Sequence, residues 1–111
     1  TERLHEKAYL NAYTYYKTGK YKSAIVAFKN ALKQYPESKR REEIMYLIVD
    51  SGYRLASNSI SEKQTDRYLS MLDSYLSFKE EFPESTHIKS LDRMAQQARD
   101  YLDRNNKDNN I

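Results

Sequence analysis

The feature that most constrains this chain is an internal echo. Tyr35-Pro36-Glu37-Ser38 returns 47 residues later as Phe82-Pro83-Glu84-Ser85. At the same offset Tyr21 pairs with Tyr68, Ile25 with Leu72 and Phe28 with Tyr75. A period of this size marks stacked supersecondary units, each too thin to bury its apolar face alone. A chain of 111 residues holds two such units and a closing element.

The units read as helices. Two Gly and two Pro leave little for loops or β-turns, and Lys, Glu, Ala, Leu and Arg are good helix formers. Residues 2–17 predict a first helix, with Leu4, Ala8, Ala12 and Tyr15 as one apolar stripe. Tyr9, Tyr13 and Tyr16 form a second line on it. Thr18-Gly19-Lys20 closes this helix, with Gly19 taking the left-handed conformation. The second helix, 21–34, gathers Tyr21, Ala24, Ile25, Phe28, Leu32 and Tyr35 on one face. Pro36 stops it, and the short gap makes the pair an antiparallel hairpin.

Ser38 predicts an N-cap for a third helix over 39–57. Ile44, Met45, Leu47, Ile48, Val49, Leu55 and Ala56 make that helix apolar around most of its girth, as expected in the middle of a stack. Gly52 inside it predicts a closely packed neighbour, since Gly costs up to ~1 kcal/mol against Ala there. Ser61-x-x-Gln64 reads as a capping box that starts a fourth helix near Glu62. Its face is Tyr68, Met71, Leu72, Tyr75, Phe78 and Phe82, and Pro83 ends it. After Ser85 a fifth helix carries Ile88, Leu91, Met94, Ala95, Ala98 and Leu102. The polar run from Arg104 predicts a disordered tail, 104–111. The expected fold is all-α, one domain over 1–103: pair one 2–35, pair two 39–82 and a final helix 86–103.

Composition excludes much chemistry. With no Cys there is no thiol nucleophile, thiolate metal site or disulfide. Two Gly nearly exclude a phosphate-cradling loop, and no Gly-flanked nucleophile elbow occurs. His5 and His87 are far apart and read as surface residues, although Glu2 and Glu6 lie near His5. No catalytic residue, cofactor, metal or small-molecule substrate is expected, so the chain is read as a non-enzyme. Glu80, Glu81 and Glu84 read as a solvated acidic edge, offset by Lys79 or by a partner. The net charge of +3 is interspersed. Lys39-Arg40-Arg41 runs directly into Glu42-Glu43, which suits a solvated helix start better than a nucleic-acid patch. Nucleic-acid binding by Tyr stacking remains a weaker alternative. No apolar run approaches the ~18 residues of a membrane span. The chain opens on Thr1, and we expect a trimmed or processed piece with targeting information outside it.

Pair one resembles a tetratricopeptide repeat. Tyr15, Ala24, Phe28 and Pro36 have the family's Y…A-x-x-x-F…P spacing, with Gly19-x-Tyr21-x-x-Ala24 at the turn. Ala8, Asn11 and Ala12 depart from the motif's Trp, Leu and Gly. Pair two keeps Tyr68, Tyr75 and Pro83, but Met71 replaces the small residue. About a dozen extra residues fall around Ala56 to Arg67, against the standard repeat length. The resemblance implies a fragment of a right-handed α-solenoid whose first helices line a concave groove. That places Glu6, Tyr9, Tyr13, Tyr16 and Lys17 on the groove, with Tyr46, Asp50, Tyr53 and Arg54 from the next pair. Burial of some of these Tyr against further repeats is the open alternative. Gly19-Lys20-Tyr21 is expected to be structural, without ligand contact.

A closer resemblance rests on longer stretches. They are Tyr15 to Ile25, Tyr35-Pro36-Glu37-Ser38, Tyr46-Leu47-Ile48-Val49, Leu55 to Tyr68, and Phe78-x-x-Glu81-Phe82-Pro83-Glu84-Ser85. Together they resemble the C-terminal repeats of the BamD family of outer-membrane assembly lipoproteins, also described as YfiO or ComL-like, in its Bacteroidetes form. Ser59 to Tyr68 is the most specific part, since generic tetratricopeptide repeats lack it. The resemblance covers about residues 4–103. It implies a protein-docking scaffold at the periplasmic face of the outer membrane, lipid-anchored through a Cys that this sequence does not include. The implied partners are the periplasmic domains of the barrel-insertion protein BamA, other assembly lipoproteins or unfolded barrel substrates. A generic peptide-binding module and a DNA-uptake lipoprotein are the alternatives. No individual contact residue carries over from the family.

Overall fold

A computed structural model describes residues 1–109, with side chains through residue 106. The chain is all-helical: α1 (Glu2–Lys17), α2 (Tyr21–Gln34), α3 (Arg41–Ser57), α4 (Ser61–Glu81) and α5 (Ile88–Asn109). They form a tetratricopeptide-like stack of helix pairs, 56 × 29 × 19 Å. α1 packs on α2, α2 on α3, α3 on α4, and α5 on both α3 and α4.

The first turn depends on Gly19. Its φ is 78°, in the left-handed region that L side chains avoid. The Gly19 N–H donates to the Tyr16 carbonyl, and the Lys20 N–H to that of Tyr15. These two bonds make a Schellman closure, which satisfies carbonyls that the end of α1 would otherwise leave bare.

The echoed segment folds the same way twice. Tyr35 and Phe82, each one residue before Pro, have nearly equal dihedrals: φ −132° and ψ 68° against φ −127° and ψ 61°. The Ser38 N–H donates to the Tyr35 carbonyl, and its Oγ accepts from the Arg40 N–H at 3.1 Å. The Ser85 N–H donates to the Phe82 carbonyl, and its Oγ accepts from the His87 N–H at 3.1 Å. Ser38 therefore braces this turn and is not the N-cap of a helix over 39–57, because α3 begins at Arg41.

α3 is the middle layer. Ile44, Leu47 and Ile48 enter one cluster with Tyr9, Ala12, Ala24, Phe28 and Ala31. Met45, Val49 and Ala56 enter another with Tyr68, Met71, Tyr75, Phe78, Leu91, Ala95 and Ala98. Its apolar girth thus serves two interfaces. Gly52 marks the close approach of α3 and α4: a β-carbon there would sit 3.3 Å from that of Met71. The bulk of Met71, at the position of Ala24 in pair one, is accommodated by the missing side chain at Gly52. α4 is seven residues longer than α2, 21 against 14, so the insertion extends a helix at its N-terminal end.

Three further expectations are corrected. The capping box at Ser61 and Gln64 does not form, because α4 starts at Ser61 itself and has no side-chain cap. Gln64 Nε2 instead donates across the turn to the Ala56 carbonyl at 3.0 Å, closing the end of α3. The expected disordered tail is helical through Asn109. Tyr101 and Leu102 pack on the core of pair two and carry the helix past Arg104, and no Gly or Pro stops it. Residues 110 and 111 of that expectation lie outside the described ones. Contrary to the apolar stripe read on α1, Leu4 and Tyr15 are exposed while Tyr9 is buried. The line read as a groove wall is the better packed of the two.

Gly19 and Gly52 give opposite substitution patterns. Nothing lies within 4 Å of a β-carbon at Gly19, so Gly19→Ala and Gly19→Val should cost alike, about 1–2 kcal/mol, from backbone conformation alone. Gly52→Leu should cost about 1–3 kcal/mol or more from overpacking against Met71. Chemical denaturation of the variants checks both.

Candidate functional site

The odd-numbered helices form one side of the stack, and polar side chains tie them together there. Asp50 on α3 is the centre, with a side chain 1% exposed. Its Oδ2 accepts from the Tyr16 hydroxyl of α1 at 2.5 Å and from Arg54 Nε, one turn on, at 2.9 Å. A buried carboxylate costs several kcal/mol unless paired and hydrogen-bonded, and here one oxygen receives both a cation and a phenol. The pairing holds the Arg54 guanidinium well above its ordinary range. Burial, then the bond to Asp50, pushes the Tyr16 phenol far up. The Arg54 side chain is itself 48% exposed, so a fixed guanidinium faces solvent near Tyr16 and Tyr21.

The remaining predicted residues fall around this centre. Tyr9, Tyr13 and Tyr16 stack in series at centroid distances of 5.7 Å, and Tyr16 meets Tyr21 at 5.9 Å. Tyr9 is only 7% exposed, with Arg40 4.3 Å over its ring. It is therefore core and not groove, and burial raises its phenol pKa. Glu6 is taken up by a two-point pairing with Arg40, at 2.6 and 3.0 Å. Tyr46 is half-buried and stacks on His87 at 3.8 Å. Tyr53 is half-buried, with its hydroxyl bonded to Gln97 of α5. Lys17 and Arg54 are exposed on this side, and Glu6, Tyr13, Tyr16, Tyr46 and Tyr53 each keep part of their surface open.

Several pairings escaped the sequence reading. His5 and His87 are not plain surface residues: His5 lies 4.5 Å from the Tyr35 ring, and His87 sits between Tyr46 of α3 and Phe78 of α4. The acidic edge is offset differently from expectation. Glu81 pairs with Arg41 of α3, while Lys79 reaches Asp92 at 3.3 Å. Arg40 and Arg41, two of the three cations in the basic triplet, are thereby neutralised within the fold. Ser59 Oγ donates to the Leu55 carbonyl and accepts from Arg67 Nη1, both at 2.5 Å. That ties together the two ends of the Ser59–Tyr68 segment. The eight-residue spacing of Ser59 and Arg67 across a turn was the available signal.

A separate hollow of about 530 Å³ opens between α1 and α2 on the side away from α3, lined by Ala8, Asn11, Tyr15, Val26 and Ala27 among others. Among the described residues no group of three or more His, Asp or Glu could hold a metal ion, and no helix is long and apolar enough to cross a membrane.

The family model described as YfiO, outer membrane lipoprotein, matches residues 1–107. The chain belongs to that family. No curated protein matches the sequence.

The Asp50 centre has measurable signatures. Tyr16→Phe removes one bond to a buried carboxylate and should cost about 1.5–3 kcal/mol. The raised Tyr16, Tyr9 and Tyr46 phenols mean that the fold binds their protons more tightly than the unfolded chain does. Their contribution is intact below about pH 10, the ordinary Tyr value, and is lost as pH rises further. Thermal unfolding should show lower stability at pH 11 than at pH 8, with a smaller drop in Tyr16→Phe.

Proposed function

We propose that this YfiO-family chain is a non-enzymatic docking scaffold, the C-terminal repeats of a BamD-like lipoprotein of the β-barrel assembly machinery. In this reading it holds the periplasmic domains of a BamA-like barrel-insertion protein at the periplasmic face of the outer membrane and so helps insert outer-membrane proteins. The full-length protein is anchored there by lipid. The sequence pattern resembles the family's Bacteroidetes form.

The observation that carries the reading is the odd-helix side, where buried Asp50 fixes the Arg54 guanidinium on a face that also carries Tyr13, Lys17 and Tyr53. Tyr and Arg are the residue types that dominate binding energy at protein interfaces, because they present large, rigid, amphipathic surface. Pre-positioning Arg54 through buried Asp50 lowers the ordering cost on docking. Tyr13 and Tyr16 lie away from the α1–α2 hollow lined by Ala8, Tyr15 and Val26. A repeat stacked over that hollow would leave them free. Nucleic-acid binding is disfavoured by the internal pairing of Arg40 with Glu6 and of Arg41 with Glu81.

A pull-down and titration with the periplasmic domains of the cognate BamA-like protein tests this. Arg54→Ala and Tyr53→Ala should each weaken binding by about 1–2 kcal/mol or more, and Lys17→Ala less. Absence of binding at tens of micromolar, by this chain and by the full-length protein alike, would sink the proposal.

A further inference from the structure

The opposite side of the stack carries a second, chemically different surface. α2 and α4 stand apart over α3 and leave a furrow between them. One hollow in it, about 210 Å³, has an apolar floor of Ile25, Ile48, Leu55 and Met71, with exposed Val26 at its edge. A second, about 310 Å³, continues it past Lys29, Ile48 and Ser74. The furrow is open because its α4 wall is made of small residues, Ser70, Ser74 and Ser77, and because Gly52 beneath has no side chain.

Its rim is cationic. Lys22, Lys29 and Arg67 border the first hollow, and no carboxylate does. Asp73 borders the second, farther along. Among the described residues none of the three cations pairs with a carboxylate, whereas Arg40, Arg41, Arg54 and Lys79 all do. Arg67 is held in place by Ser59, so the Ser59–Tyr68 segment presents a fixed cation at this rim.

We propose that this furrow docks a partner protein segment that presents an apolar side chain between two carboxylates. Charge complementarity and the apolar floor select that chemistry. The spacing of the cations selects a peptide over a single anionic headgroup. Lys22 and Lys29 are two helical turns apart, about 10 Å along α2, too far for one phosphate or carboxylate to engage both. Carboxylates four residues apart on an extended chain share a face and span about 13 Å, within reach of the two flexible lysine side chains. The first hollow is smaller than the usual small-molecule site of roughly 300–1,000 Å³ and the second only reaches its lower bound, so each suits an inserted side chain. The surface is distinct from the Tyr13–Arg54 side, and the proposal does not rest on the docking role given to that side.

The test uses the full chain and a fluorescein-labelled peptide with a central Glu-Ser-Leu-Ser-Glu, against a counterpart with Gln-Ser-Leu-Ser-Gln. The acidic peptide should bind about tenfold tighter, with affinity falling as salt rises. The double variant Lys22→Glu, Lys29→Glu should abolish that preference. Both lysines are exposed on α2, and an unchanged melting temperature shows that the fold is intact. Ser74→Trp, which fills the furrow without altering charge, should weaken both peptides. Arg54→Ala should change neither. Equal binding of the two peptides, or an acidic preference surviving in the double variant, overturns the proposal. So does capture of phosphatidylglycerol vesicles in a Lys22- and Lys29-dependent way without peptide binding, which would assign the furrow to lipid.

Discussion

Everything in this stack depends on α3 being buried on both flanks. A helix pair has too little thickness to remove its own apolar face from water, so stability arises only where pairs meet. α3 supplies both meeting surfaces: Ile44, Leu47 and Ile48 on one flank, Met45, Val49 and Ala56 on the other. Leu32 and Tyr46 touch both clusters and couple them. The two surfaces proposed for docking are by-products of this arrangement. On one side the odd-numbered helices bring Asp50, Tyr16 and Arg54 together. On the other, α2 and α4 are held apart by the helix beneath them.

Local signals were legible in the sequence. The Gly19 turn, the two Pro-Glu-Ser turns and the close approach at Gly52 each arise from a residue whose backbone or size leaves little choice. Five helices and their order came from periodicity and stop residues. What escaped was set by partners distant in sequence. Ser61 and Gln64 have the right types for a capping box, yet the Ala56 carbonyl across the turn offers Gln64 a better use. Tyr9 looked like a groove residue because its spacing matches Tyr13 and Tyr16, but Phe28 and Arg40 cover it. Arg41 and Glu81, 40 residues apart, gave no hint of each other. The polar composition after Arg104 hid a helix that Tyr101 and Leu102 had already committed to the core. The odd-helix side was legible as residue types on helix faces, and Asp50 at its centre was among them. That Asp50 is buried, and so fixes Arg54 instead of meeting a partner, needed the third dimension.

The polar contacts between layers are of unequal weight. Pairs such as Arg40–Glu6 and Lys79–Asp92 are substantially exposed, and solvent screening leaves them contributing little to stability. Asp50 differs because it has no access to water if a partner is removed. Such a group penalises misregistered stacking more than it stabilises the correct one, since sliding α1 by one turn would strand the carboxylate without its phenol.

The extra length of α4 has a consequence for how such a chain can vary. Seven residues fall just short of two turns, so inserting them rotates the downstream part of the helix by only about 20°. Tyr68, Met71, Tyr75 and Phe78 keep the azimuth that Tyr21, Ala24, Phe28 and Ala31 have on α2. An insertion of five would have turned that face toward water. The tolerated increments of length in this architecture are therefore quantised in near-whole turns. Relatives that differ at the α3–α4 junction should do so in steps of about seven or eleven, leaving the furrow floor in place while moving its rim.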